Sequence, residues 1–230
     1  MKKPFLPILL VLVGLLFCLA HNALAQTTIL PIDGITGIHL RGGMEVELRK
    51  GPAEMRLEGG EDALKNLELT IEDGNLEITG AKKTFGMPVV SDKIIISLPN
   101  LESLKISGAA EVTGGGFDNE TLFLAINGVG SAELELNVKI LKLDVSGTGS
   151  LELEGKAETV VINLSGAASI EAENYTVENM TLVMSGAGSA EVNVSKQLDV
   201  NISGVGVVSY KGEPEVLRKR ISGAGKIEQM

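Results

Sequence analysis

The chain has 230 residues, with 20 Lys and Arg against 30 Asp and Glu and a formal net charge of −10, so nucleic acid is a poor partner. It contains one Cys (Cys18), two His, no Trp and 28 Gly. That composition excludes a disulfide framework and thiolate metal sites, and it leaves few aromatic platforms for sugars or bases.

Met1-Lys2-Lys3 is a short basic start, Phe5 to Ala20 is almost purely apolar, and Ala23-Leu24-Ala25 is a small-x-small cleavage site. This order is that of a secretory signal peptide, so residues 1–25 are expected to be removed and the protein to be exported to periplasm, outer surface or medium. The remaining residues 26–230 lack a linker or a second hydrophobic stretch and read as one domain, with a net charge of −12 and His39 as their sole histidine.

Residues 29–100 follow a loose pattern. Ile38 to Leu48 read as two strands either side of Gly42-Gly43, a degenerate rung. Glu61-Asp62-Ala63-Leu64 suits one helical turn, and Leu67–Ile71 with Asn75–Ile78, around Asp73-Gly74, reads as a hairpin.

From residue 107 a repeat takes over. Ser107-Gly108-Ala109-Ala110 recurs from Asn127, Ser146, Ser165, Ser185, Ser203 and Ser222, at intervals of 20, 19, 19, 20, 18 and 19 residues. One position before each copy stand Ile106, Ile126, Val145, Leu164, Met184, Ile202 and Ile221; five after the start stand Val112, Ala132, Leu151, Ile170, Ala190, Val208 and Ile227. Polar residues alternate with these, which is the period of strands with one buried face. A unit this short cannot bury its own apolar face, so successive units must stack in parallel, about 4.8 Å apart. The expected fold is all-β: a right-handed, single-stranded parallel β-helix (β-solenoid) of about 19–20 residues per rung, with irregular N-terminal cap rungs. Ten or so rungs would make a rod of roughly 50 Å. The corner glycines Gly108, Gly128, Gly147, Gly166, Gly186, Gly204 and Gly223 are expected to supply positive φ and close backbone stacking.

The Ser-Gly-x-Gly corners, Ile95-Ile96-Ser97-Leu98-Pro99-Asn100-Leu101-Glu102-Ser103-Leu104, Asp73–Ile78 and the closing Tyr210-Lys211-Gly212-Glu213-Pro214 together resemble the bacterial auto-transporter adhesin, head GIN domain family, over about residues 30–228. The resemblance implies an exported β-helix of the cell envelope and carries no catalytic residues with it.

Stacking would turn Glu133, Glu152, Glu171 and Glu191 into one outward carboxylate ladder, and Glu135, Glu154 and Glu173 into a second. Neighbouring like charges at that spacing repel by roughly 0.9 kcal/mol in water, which a solvated face tolerates. Such oxygen-only arrays also suit a hard cation such as Ca²⁺. The corner serines lack a recurring base and read as a hydroxyl ladder satisfying backbone groups; no cofactor is expected. The sequons at Asn119, Asn163, Asn174, Asn179, Asn193 and Asn201 read as polar ladder residues, His39 as structural or exposed, and Phe117 either as a core plug or, with Asp118-Asn119-Glu120, as a protruding contact. These features point to a non-enzymatic, adhesin-like interaction module that meets an envelope protein or polysaccharide, with an oligomer possible. A polysaccharide-active lyase or hydrolase, or an envelope component that self-associates through its ends, are the alternatives.

Overall fold

The computed structural model describes residues 27–58, 67–80 and 93–230. The signal segment and the helical turn expected at Glu61–Leu64 lie outside these residues. The described residues hold no helix; strands wind into a β-solenoid of about seven turns.

The regular half follows the repeat. Strands β8 (Ser103–Ile106), β9 (Ala109–Phe117) and β10 (Thr121–Ile126) lead into four long strands, β11 (Val129–Val145), β12 (Thr148–Leu164), β13 (Ala167–Met184) and β14 (Ala187–Ile202). Each long strand runs from one corner to the next, bending without a separate return segment. Strands β15 (Val205–Lys211), β16 (Val216–Ile221) and β17 (Ala224–Gln229) complete the last turns. All pairing here is parallel and in the expected register: Leu104, Leu124, Leu143, Ile162, Leu182 and Val200 lie one above another, each at most 1% exposed. Burying an aliphatic side chain of this kind stabilises by about 1.5–3 kcal/mol, so the columns supply most of the driving force.

The corner needs glycine for one of the two expected reasons. Gly108, Gly128, Gly147, Gly166, Gly186, Gly204 and Gly223 do not have positive φ; those angles fall at other glycines, including Gly42, Gly155 and Gly212. What forbids a side chain is contact: a Cβ on Gly166 would stand 1.9 Å from the carbonyl oxygen of Gly147. That close approach lets the corner N–H groups of Ser146 and Thr148 reach Ile126 O and Gly128 O, each at 2.9 Å, and the pattern repeats upward.

The N-terminal end departs from the expected order. Strand β2 (Gly37–Arg41) lies between β6 (Asn75–Gly80) and β8, and β3 (Gly43–Lys50) lies between β7 (Lys93–Leu98) and β9. The turn made by β2 and β3 is therefore inserted between two segments that follow it in sequence. Outside it, β1 (Thr27–Pro31), β4 (Glu54–Glu58) and β7 pair antiparallel, and β5 (Leu67–Glu72) closes the other side as a hairpin with β6. Both hairpin turn residues, Asp73 and Gly74, have positive φ, as a tight two-residue turn between twisted strands requires. Because these segments form an end structure instead of further coils, there are about seven turns in place of ten or so.

Candidate functional site

The first acidic ladder is in register: Glu133, Glu152, Glu171 and Glu191 are successive partners across β11 to β14, all outward and exposed. The second is shorter than expected. Glu135 pairs with Glu154, but the register then shifts so that Gly155 faces Tyr175, and Glu173 falls in the bulge. The Glu173 carboxylate instead pairs with Lys211 across two turns. Four of the carboxylates, Glu133, Glu135, Glu152 and Glu154, border a cavity of about 250 Å³. Among the described residues no three His, Cys, Asp or Glu side chains converge closely enough to hold a metal ion.

A larger feature runs along the edge where the long strands bend. Phe117 is 1% exposed and fills the core, which turns Asp118, Asn119 and Glu120 outward into two adjoining cavities of about 530 and 640 Å³ that share these three residues. The larger-lined of the two extends from Asn119 over Asn137 and Lys156 to Thr176 and Ser195. Buried Val138 and Ala157 lie along its floor. Its rim is an ion-pair series: Lys139 pairs with Glu120, and Lys196 with Glu178 at 2.7 Å. The Lys139 ammonium draws the Glu120 carboxyl below the usual carboxylate range, and Glu178 raises the pKa of Lys196, in each case chiefly through the shared hydrogen bond. Lys156 lines the groove and makes no ion pair among the described residues. The result is a polar trough along the solenoid axis, presenting amides, hydroxyls and paired charges at the spacing of the turns. The sequence marked its Asp118–Glu120 entrance but not its length, because its polar lining alternates like every other outward position and nothing in the period marks where the strands bend.

The sequons behave as polar ladder residues where contacts are formed: Asn163 donates to the Asp144 carboxylate one turn below at 2.8 Å, Asn179 to Glu158 O at 3.3 Å and Asn193 to Glu173 O at 3.2 Å.

One constellation escaped the sequence. The sequence presents His39 as structural or exposed and names no partner for it; its Nε2 lies 2.7 Å from Ser107 Oγ and its Nδ1 lies 3.2 Å from Glu77 Oε2. Arg41 Nε reaches the same Glu77 oxygen at 3.3 Å. Three turns contribute these side chains, and only the out-of-order insertion of β2 brings them together. Partial burial and the neighbouring Arg41 and Lys105 charges lower the His39 pKa, against the opposing pull of Glu77.

A family model described as "Putative auto-transporter adhesin, head GIN domain" matches residues 34–214. No curated protein matches the chain. Among solved structures, one titled a "putative adhesin" from Bacteroides fragilis is similar over 89% of this chain and 96% of its own, with a TM-score of 0.82 and 21% identity. One titled a "putative lipid binding protein" from Parabacteroides distasonis has a TM-score of 0.65 and 20% identity over 89% and 96%. A "putative adhesin" from Parabacteroides merdae has 0.58 and 19% over 89% and 95%. At these identities the likeness is one of fold.

Proposed function

Because the chain belongs to the auto-transporter adhesin, head GIN domain family, we propose that it is an exported, adhesin-like module of the cell envelope that binds an extended polysaccharide along the groove from Asn119 to Ser195. Its leader, residues 1–25, directs export and is cleaved after Ala25. The observation that carries the reading is the groove itself: side chains from successive turns line one continuous trough. Amide and hydroxyl groups at Asn119, Asn137, Thr176 and Ser195 suit sugar hydroxyls, and the floor of Val138 and Ala157 suits the apolar face of a sugar ring. A charged, amide-rich lining does not suit an acyl chain, which favours a sugar over a lipid as the ligand. A rigid solenoid loses little conformational freedom on binding, which favours recognition of a long, repetitive ligand.

The test is binding of the purified protein to an array of envelope polysaccharides. Asn137→Ala together with Lys156→Glu is expected to weaken binding at least tenfold, whereas Glu152→Lys with Glu171→Lys leaves it within twofold. Loss of binding in the second pair and not in the first would move the recognition surface to the acidic ladder and overturn the proposal.

A further inference from the structure

Ser107 differs from the other corner serines in what stands beside it. Ser165 and Ser185 turn their hydroxyls toward backbone carbonyls of the turn below, Val145 O at 3.4 Å and Leu164 O at 3.5 Å, and Ser146 donates to Asn127 Oδ1 at 2.8 Å. These are the ladder contacts expected of a corner hydroxyl. Ser107 Oγ faces an imidazole instead.

The direction of that hydrogen bond follows from Glu77. A carboxylate only accepts, so the proton between Glu77 and His39 sits on Nδ1, and the lone pair of Nε2 is left facing Ser107. Ser107 is therefore the donor, in a chain of hydroxyl, imidazole and carboxylate with both links at hydrogen-bond distance. Arg41 holds the far end by gripping the same Glu77 oxygen, and His39 faces Glu77 and Lys105 as its register partners in β6 and β8. Partial burial, then the nearby Arg41 and Lys105 charges, hold the His39 pKa below its ordinary value against the pull of Glu77, which favours the neutral imidazole and leaves Nε2 able to take a proton.

A second feature lies next to the hydroxyl. At Gly147, Gly166, Gly186, Gly204 and Gly223 the corner N–H donates to a carbonyl of the turn below, at 3.1 to 3.4 Å. The Gly108 N–H, like that of Gly128, makes no such bond among the described residues, and only at Gly108 does it follow a serine that faces an imidazole. The amide immediately after a nucleophilic serine is where acyl-transfer sites hold the developing oxyanion.

We propose that Ser107 is a nucleophile for acyl transfer, with His39 as its general base, Glu77 as a positioning residue and the Gly108 N–H as an oxyanion donor. The three side chains stand on the outer face, with His39 20% and Glu77 34% exposed, so the fitting substrate is a small ester, such as an O-acetyl group, displayed on a large polymer. In the first step the Ser107 oxygen bonds to the ester carbonyl carbon while its proton passes to His39 Nε2. The carbon–alkoxide bond then breaks, and the leaving oxygen takes the proton from His39, which leaves acyl-Ser107 and a free alcohol. Water, deprotonated by His39, attacks the acyl carbon; the bond to Ser107 breaks, Ser107 regains a proton, and the acid departs. This activity is separate from groove binding and stands or falls independently of it.

Wild-type protein treated with a fluorophosphonate, and separately with p-nitrophenyl acetate, is to be mapped by peptide mass spectrometry. Labelling is expected at Ser107 at least tenfold above any other corner serine, lost in Ser107→Ala and unchanged in Ser165→Ala. His39→Ala should slow it by about 100-fold. Glu77→Gln should slow it less and move the pH midpoint of labelling downward, since Glu77 raises the His39 pKa; a purely structural Glu77 would leave the midpoint in place. Thermal melts of each variant separate lost reactivity from lost fold. Labelling of wild-type Ser107 no faster than Ser165, or equal labelling in a folded His39→Ala, overturns the proposal.

Discussion

Gly147 sits over Gly128 so closely that a Cβ on Gly147 would lie 1.9 Å from the Gly128 carbonyl oxygen. The contact is with backbone, which cannot swing aside, so relief would require separating two turns. Gly147→Ala is expected to destabilise the protein by about 3 kcal/mol, through overpacking and loss of the corner hydrogen bonds. Gly43→Ala is the control: its Cβ would meet nothing nearer than 3.7 Å and its φ is not positive, so the cost should stay within about 0.5 kcal/mol. Urea unfolding of both variants checks the difference.

Tyr175 is fully buried and its hydroxyl has no hydrogen-bond partner among the described residues. Removing an unsatisfied buried donor relieves its desolvation cost, so Tyr175→Phe should stabilise by about 1–2 kcal/mol. Burial also raises the Tyr175 pKa above its ordinary value of 10.0. The folded state therefore keeps a proton that the unfolded chain releases, and stability is lost as pH rises above 10. The advantage of the Phe variant, measured by denaturant melts, should widen over that range.

Glu47 ties the inserted strand β3 to its neighbour. Hydrogen bonds from Arg49 and then Lys93 hold its pKa down from 4.5 to about 2. A depressed carboxylate contributes stability that is complete above its unfolded pKa and lost as pH falls from about 4.5 toward 2. Both cations are partly solvated, so the contribution is about 1 kcal/mol. Glu47→Gln should flatten the acid limb of the stability profile and lower stability at pH 7.

The Glu133–Glu152–Glu171–Glu191 ladder stacks like charges in register. Glu152→Gln with Glu171→Gln should raise the melting temperature at low ionic strength, by an amount that shrinks as salt screens the repulsion. Millimolar Ca²⁺ should leave the wild-type melting temperature unchanged, since no three carboxylates converge among the described residues. A calcium-induced rise would show that the ladder binds the ion.

The sequence made the regular half readable because each turn there repeats its own column of residues: Ile162, Leu164 and Ile170 follow Leu143, Val145 and Leu151 position for position. It announced the Asp73-Gly74 hairpin through turn chemistry alone. Chain order failed as a guide at the N-terminal end, because β2 and β3 enter the stack between segments that come later, and no local signal encodes that choice. The same failure hid the site at Ser107. His39 and Glu77 belong to turns either side of each other only after the insertion, so a serine read as having no base acquired one. The groove was hidden for another reason: its lining at Asn137, Lys156, Thr176 and Ser195 recurs 10 or 11 residues after each corner start, but polar residues recur at outward positions all along the strands, so the period alone does not mark where the strands bend into a trough.

The order of turns at the N-terminal end decides whether His39, Glu77 and Ser107 meet and whether the groove begins on a stacked turn. It can be read by disulfide trapping in a Cys18→Ser background. Glu45 and Glu111 are outward register partners between β3 and β9, at a separation between strand neighbours of about 4.8 Å that a disulfide spans. Cysteines at 45 and 111 should cross-link on mild oxidation, and cysteines at 95 and 113, which flank Glu47 from opposite sides, should not. Turns stacked in sequence order would give the opposite pair of results, and with it the site at Ser107 would be lost.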